Sequence, residues 1–320
     1  MKFYKKAVAA MLFGACASVG ASPWPGEKPV RIIQGFSPAS APQMLALEIG
    51  KILKDKLGAS VYVESKQGAS GNIAAEAVAK AAPDGHTLFV TTTGTMAINS
   101  SLYRKLPFDP IKDFQPVALL GYVPNVIIVN NKFPAKTLRE FVAHVKSHPD
   151  QVNYGTSGVG TSQHLAMEQF SIEADMKLTH IPYGTGSAAT DLVGGQIEAM
   201  FHQLPAAMPL IKSGSVKALA VSTKDRVSAV GSVPTVAEGG YPGFESVTWF
   251  GLFAPKGTPT DIVEKLNSLL FEALTGDLGK KLSATGIIPT TATPDELKRM
   301  IVQDTATWHA IVQKIGLKPN

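Results

Sequence analysis

Residues 29–91 read PVRIIQGFSPASAPQMLALEIGKILKDKLGASVYVESKQGASGNIAAEAVAKAAPDGHTLFVT. The first run, Pro29 to Gln34, predicts a strand through Val30, Ile32 and Ile33. Leu45, Ile49, Ile52, Leu53 and Leu57 then recur at helical spacing, which predicts a helix over Pro42 to Leu57 with Gly58 as its stop. Val61 to Glu64 reads as a second strand and Asn72 to Lys80 as an alanine-rich helix. Pro83-Asp84-Gly85 is turn chemistry, and His86 to Thr91 is a third strand. A βαβαβ order places the strands in a parallel sheet covered by helices. Ligands on such sheets bind beyond the carboxyl ends of the strands.

Toward the C-terminus the rhythm changes. Val117 to Leu120 and Val126 to Val129 read as two apolar strands separated by Gly121-Tyr122-Val123-Pro124-Asn125. A second α/β series follows, with helices at Thr137 to Lys146, Ser162 to Ile172, Ser187 to Val193 and Ala206 to Lys212. Its strands fall at Val152 to Tyr154, Leu178 to Ile181, Ile197 to Phe201 and Val216 to Val221. Gly243 to Val247 returns to the first unit. Val247 to Ala254 then adds a strand, and helices follow at Thr260 to Leu270 and Pro294 to Ile315. The expected organisation is two α/β lobes, residues 22–122 with 247–320 and residues 123–246, joined by two crossings. Two lobes on a hinge suit capture of a ligand between them.

Toward the N-terminus, Lys2, Lys5 and Lys6 precede an apolar run from Ala7 to Ala17 and a small-residue site at Val19-Gly20-Ala21. That is the pattern of a cleaved signal peptide over residues 1–21. At about 11 residues the run is too short for a membrane span, which takes roughly 20. The formal charge of +5 falls near +2 without those three lysines, and no later basic run suggests a nucleic-acid partner. The single cysteine, Cys16, lies in the leader, so the mature chain has no disulfide and no thiolate metal site. Lipidation of Cys16 is the competing reading, although Phe13-Gly14-Ala15 fits a lipoprotein box poorly.

The chemistry-bearing segments are five loops between strands and helices. They are Gly35-Phe36-Ser37-Pro38-Ala39-Ser40, Gly68-Ala69-Ser70-Gly71-Asn72, Thr91-Thr92-Thr93-Gly94-Thr95, Gly155 to Ser162, and Tyr183-Gly184-Thr185-Gly186-Ser187. All are rich in glycine and hydroxyls, and none holds Lys, Arg, Asp or Glu. Glycine lets a backbone approach a ligand closely. Helix starts add free N–H donors and about half a positive charge. Such loops can receive a small carboxylate without a fixed counter-charge. The competing reading is that the hydroxyls are helix caps. Replacing Ser157 or Thr161 by a bulky hydrophobe should weaken ligand binding yet leave unfolding of the empty protein nearly unchanged; an empty protein that melts much earlier would make them structural caps. Of the aromatics Phe36, Tyr122, Tyr183, Trp249 and Phe250, Phe36 has the best placement to wall a cleft.

Several stretches, taken together, resemble the periplasmic receptors of tripartite tricarboxylate transporters, the Bug-type solute-binding family. They are Lys28-Pro29-Val30-Arg31-Ile32-Ile33, Gly68 to Ile73 with Ala82 to Leu88, Asn99 to Tyr103 through Asp109-Pro110, Asn153 to Gly158, Pro205 to Gly214, Val233 to Glu238, and Trp249 to Pro255. The resemblance covers nearly the whole mature chain. It implies a type II periplasmic-binding fold and a small organic carboxylate held between lobes and passed to a membrane permease. It carries ligand contact onto Ser37, Ala39, Ser40, Ser70, Gly71, Asn72, Ser157, Thr161 and Ser162. Loop position adds Phe36, Thr92, Thr93, Gly94, Gly158, Tyr183, Gly184 and Thr185.

Three departures bear on the ligand. Pro38-Ala39-Ser40-Ala41-Pro42 lacks the glycine turn usual after the first strand. Tyr183-Gly184-Thr185-Gly186-Ser187 lacks the family's lysine. His202 in Phe201-His202-Gln203-Leu204-Pro205 stands where an acidic residue is frequent, which removes a partner for an ammonium and favours a non-amino mono- or dicarboxylate. His202 itself can donate a hydrogen bond to a carboxylate.

Enzyme readings are weak. Gly155-Thr156-Ser157-Gly158-Val159 lacks the last glycine of a nucleophile elbow. Gly184 to Ala189 fits a dinucleotide fingerprint only loosely, since Glu198 follows sooner than the roughly 20 residues expected. Thr179-His180 has no obvious acid partner, and the histidines show no metal spacing. The expectation is a monomeric periplasmic receptor with no catalytic residue, metal or cofactor. A secreted sensor or scavenger of the same fold without a permease, and a secreted hydrolase, are the alternatives.

Overall fold

The computed structural model describes residues 24–37, 40–183 and 187–319. The leader, Ala39, Gly184 and Thr185 lie outside the described residues. In chain order the first elements are β1 (Val30–Gln34), α1 (Ala41–Leu57), β2 (Val61–Ser65), α2 (Asn72–Ala79) and β3 (Thr87–Thr92). A π-helical turn at Gly94–Ile98 runs into α3 (Asn99–Leu102), followed by β4 (Phe114–Asn130), α4 (Leu138–Ser147), β5 (Asn153–Thr156) and α5 (Ser162–Ala174). Next come β6 (Thr179–Pro182), α6 (Ala188–Gly194), β7 (Ala199–Gln203), α7 (Leu204–Lys212) and β8 (Val216–Val221). β9 (Val247–Pro255), α8 (Thr260–Thr275), α9 (Asp277–Ala284) and α10 (Pro294–Lys314) complete the chain.

The opening βαβαβ unit forms as its pattern predicts. β1 lies between β2 and β3, parallel to both. α1 buries Leu45, Ile49 and Leu53 against this sheet. Ser40 caps its start, and Gly58 ends it in the left-handed conformation.

Beyond β3 the sheet becomes antiparallel. β9 pairs with β3 on one side and β4 on the other. Val117 to Leu120 and Val126 to Val129 are not separate strands: both belong to the 17-residue β4. Two local features let the strand bend without breaking. Its register with β9 shifts twice, around Pro116/Ala118 and Leu119/Gly121. Gly121 also adopts φ +148, and a Cβ there would meet the Ile288 carbonyl at 2.6 Å. The change of partner falls at Pro124–Asn125. Pro124 is the last residue paired with β9, Asn125 pairs with Gln203 of β7, and Val126 pairs with Val221 of β8. Pro124 has no N–H to strand at the changeover. β4 therefore belongs to two sheet sections. The second section is mixed, because β5 is parallel to β6 and β7 while β7 and β8 are antiparallel to β4.

Each section has its own apolar core. Val30, Ile32, Leu88, Val90, Leu252 and Leu266 pack in the first, and Phe141, Tyr154, Phe170, Phe201 and Phe244 in the second. A further cluster joins Leu165 of α5 to Ala97, Ile98, Trp308 and Val312. α5 is consequently apolar on two sides, with Ala166, Met167 and Phe170 in the second core and Leu165 in this seam.

Candidate functional site

Three helix starts face one cavity of about 640 Å³: Ser40 to Pro42 of α1, Gly160 to Gln163 of α5, and Gln203 with Pro205 and Ala206 of α7. Phe36, Ser70, Thr92, Gly94, Asn99 and Ser157 add loop and turn residues. Val123, Thr248 and Phe250, from the strands β4 and β9, close another wall. No described residue of the lining is charged or a histidine. Its polarity comes from hydroxyls, amides and the unpaired N–H groups of the helix starts, fewest at α1 and α7, where Pro42 and Pro205 have no N–H. The volume lies within the usual range for small-molecule sites, about 300–1,000 Å³.

Many of the hydroxyls are already employed. Ser40 donates to the Ser37 carbonyl (2.6 Å) and accepts from the Gln43 amide (3.4 Å). Thr161 donates to the Gly158 carbonyl (2.9 Å) and accepts from the His164 amide (3.3 Å), capping α5. Both side chains are helix caps that also border the cavity. Ser157 donates to Gln163 Oε1 (2.5 Å), and Gln163 Nε2 donates to His202 Nδ1 (3.0 Å). Ser157 must give up Gln163 to offer its proton to an anion. Thr92 Oγ1 accepts from the Gly94 amide (3.1 Å), so its own hydrogen is not used in that bond.

The loop at residues 69–71 is built from strained backbone. Ala69 and Ser70 carry φ +47 and +54, and Gly71 carries φ +89. A Cβ on Gly71 would strike Thr95 Oγ1 at 2.5 Å. Two donors hold the Ser70 carbonyl: Thr95 Oγ1 (3.0 Å) and Asn99 Nδ2 (3.1 Å), which also donates to Asn72 Oδ1 (2.6 Å). Asn72 is buried beneath the loop, and Ser70 is the residue that reaches the cavity.

The cavity thus gathers Phe36, Ser40, Ser70, Thr92, Gly94, Ser157, Thr161 and Ser162 from the residues singled out in the sequence. Ser37, Gly71, Asn72, Thr93, Gly158, Tyr183 and His202 are not part of its lining. Thr93 ties β3 to β9 by accepting from the Trp249 amide (2.9 Å). Tyr183 donates to Asp191 (2.7 Å), and the His202 ring stands behind Gln163. Of the aromatics, Phe36 and Phe250 line the cavity, whereas Trp249 is core and donates to Asp304 (2.6 Å). Asn99, Val123, Gln163, Gln203, Pro205, Ala206 and Thr248 are additions that sequence reasoning missed. Asn99 lies in a stretch already quoted for the family resemblance. The strand residues Val123 and Thr248 carried no signal.

Beneath the Gly155–Thr161 loop, Tyr154, His180 and His164 form a stack, with ring centroids 4.9 and 4.1 Å apart. His164 Nδ1 accepts from the Gly160 amide (3.1 Å), and Thr156 Oγ1 bonds His180 Nε2 (2.7 Å). Tyr154 donates to Glu168. Burial, then the neighbouring His180, pushes His164 down to about 3. Burial alone pushes His180 and His202 down to about 4. Neutral imidazoles are required for the acceptor roles of His164 and His202. No described group of three or more His, Cys, Asp or Glu is placed to hold a metal ion.

A neutral, ligand-sized cavity at helix starts, with two α/β sheet sections joined through β4, defines the class: a type II periplasmic-binding-protein fold. Residues 45–317 match the model of the "Tripartite tricarboxylate transporter family receptor". The chain is 34% identical to Protein BugT of Bordetella pertussis over 95% of its own length and 94% of that protein. The Rhodopseudomonas palustris protein Rpa4515, solved with adipate, superposes with TM-score 0.83 at 34% identity, covering 93% of this chain and 100% of that one. MatC from the same organism, solved with bound malate, gives TM-score 0.77 at 35% identity, covering 90% and 100%. The chain belongs to the tripartite tricarboxylate transporter receptor family. It is a solute-binding receptor and not an enzyme, as its family and structural neighbours are.

Proposed function

We propose that this receptor captures a small organic carboxylate, a non-amino mono- or dicarboxylate, in the 640 Å³ cavity and delivers it to a membrane permease of the tripartite type. The observation that carries the reading is the cavity wall: donors from three helix starts with no cation beside them. A carboxylate there is held by dipoles and hydroxyls, so it can be released again without breaking an ion pair. The malate and adipate in two relatives fit the same chemistry. Ser70, Thr92, Ser157 and Ser162 are the proposed ligand donors, with Phe36 over the ligand and the N–H groups of α5 aimed at the carboxylate.

Residues 22–122 with 247–320 act as one lobe and 123–246 as the other, with β4 and the segment entering β9 as the crossings. Ligand that touches both lobes only in the shut form shifts the hinge population by its differential affinity. The leader over residues 1–21 places the receptor in the periplasm after cleavage, where it works as a monomer. A thermal-shift screen of the purified mature protein against a carboxylate panel tests the reading, followed by calorimetry on each hit. One or more acids should bind saturably with 1:1 stoichiometry, and scattering should show a smaller radius with ligand. If no carboxylate binds and an amine or sugar does, the reading is wrong.

A further inference from the structure

Six side-chain polar atoms are buried without a hydrogen-bond partner among the described residues: Trp24 Nε1, His86 Nδ1, Thr91 Oγ1, Asn125 Oδ1, Ser171 Oγ and Thr248 Oγ1. Of their residues only Thr248 borders the cavity. Thr248 is 4% exposed, and it sits in β9 directly opposite Val123 of β4. Strand alternation explains its position. Trp249, the next residue, turns into the core at 1% exposure, so Thr248 and Phe250 face the cavity together. Its cavity-lining neighbours Val123 and Phe250 are apolar, so neither side chain can satisfy the hydroxyl. Valine would fill the same shape without leaving a buried hydroxyl unpaired.

The two sides of the cavity therefore differ in chemistry. At the helix starts Ser40, Thr161 and Ser157 are engaged in caps and in the Gln163 bond. On the strand side, Val123 and Phe250 offer aliphatic and aromatic surface, and the Thr248 hydroxyl at this wall is buried and uncommitted. Gln203, paired with Asn125 two residues along β4 from Val123, adds an amide on the same sheet face.

We infer that Thr248 is a specificity-determining residue. Turned about χ1 into the cavity, its hydroxyl donates to a second carboxylate at the far end of an aliphatic ligand whose first carboxylate lies at the helix starts. The inference rests on the carboxylate reading above and narrows it to dicarboxylates.

The test uses matched acids that differ only in the second carboxylate: succinate and butyrate, glutarate and pentanoate, adipate and hexanoate. Affinities are measured by calorimetry for the wild-type mature protein and for Thr248→Val and Thr248→Ser. The wild type should prefer the diacid at one or more chain lengths. Thr248→Val should reduce that preference by about tenfold or more, the size of a hydrogen bond to a charged group. Thr248→Ser should retain most of it, because it restores the donor. Empty Thr248→Val should melt no lower than the wild type. Unchanged diacid preference in Thr248→Val overturns the inference. A lower melting temperature of the empty Thr248→Val protein also does, since the hydroxyl would then have an internal partner. Equal binding of mono- and diacids by the wild type overturns it while leaving the carboxylate reading intact. Binding of no acid in either series removes both.

Discussion

Helix α5 presents two unlike surfaces within one turn. Leu165, fully buried, enters a dry seam with Ala97, Ile98, Trp308 and Val312. One turn earlier, Ser162 and Gln163 of the same helix look into the polar cavity. The seam contributes burial, which is non-directional and scales with area. The cavity contributes oriented donors, which are worth little to the fold while they face solvent and gain value against an anion in a sheltered site. The contrast teaches that one element holds the two sections together and also presents the recognition surface, three residues apart.

The largest test of this division is Leu165→Ala. Removing a fully buried leucine side chain should cost about 2–5 kcal/mol, read by chemical denaturation of the empty protein. A cost below about 1 kcal/mol would mean the seam does not join the sections.

Acidification comes next and acts behind the cavity wall rather than in the seam, because the seam residues named here do not titrate. His164, His180 and His202 are held down to about 3, 4 and 4, whereas an unfolded histidine titrates near 6.5. The unfolded chain takes up protons first. Their contribution to stability is therefore present above about pH 6.5 and declines as pH falls toward 4. Melting temperatures of the empty protein at pH 7, 6 and 5 should drop progressively. His180→Gln should flatten the trend, and an equal slope in that variant would exclude the stack as its source.

Thr161→Ala should cost about 1 kcal/mol through loss of the α5 cap. This reverses the expectation, drawn from sequence, that a residue here could be changed without affecting the empty protein: the hydroxyl bonds Gly158 and His164 before any ligand arrives. Smallest in stability is Ser162→Ala, expected within about 0.5 kcal/mol of wild type while ligand affinity falls. If Ser162→Ala destabilises as much as Thr161→Ala, the distinction between cap and ligand donor fails.

How much of this was legible depended on the range of the interactions. The opening βαβαβ unit could be read because its apolar spacing, caps and turn residues are local, and its three strands lie side by side as expected. The glycine- and hydroxyl-rich loops could be read as a group because chemistry and position coincide, and Phe36, Ser70, Thr92, Ser157 and Ser162 do meet in one cavity. β4 was misread because Gly121 and Pro124 are breakers in isolation. Bulges in β4 itself and a change of neighbours turn them into assets. α9 and the π-helical turn at Gly94–Ile98 were missed as well, both being short segments of 8 and 5 residues.

Local pattern alone was enough to set the α/β class, the alternating order and the uncharged character of the loops, since each follows from side-chain spacing and backbone preference over a few residues. Tertiary structure alone decided which hydroxyls are caps, which residues stand behind the cavity, and that Thr248 is left with an unpaired donor. Those outcomes depend on pairing between residues far apart in the chain: Val123 with Thr248, Gln163 with His202, Leu165 with Trp308. No local propensity encodes such contacts.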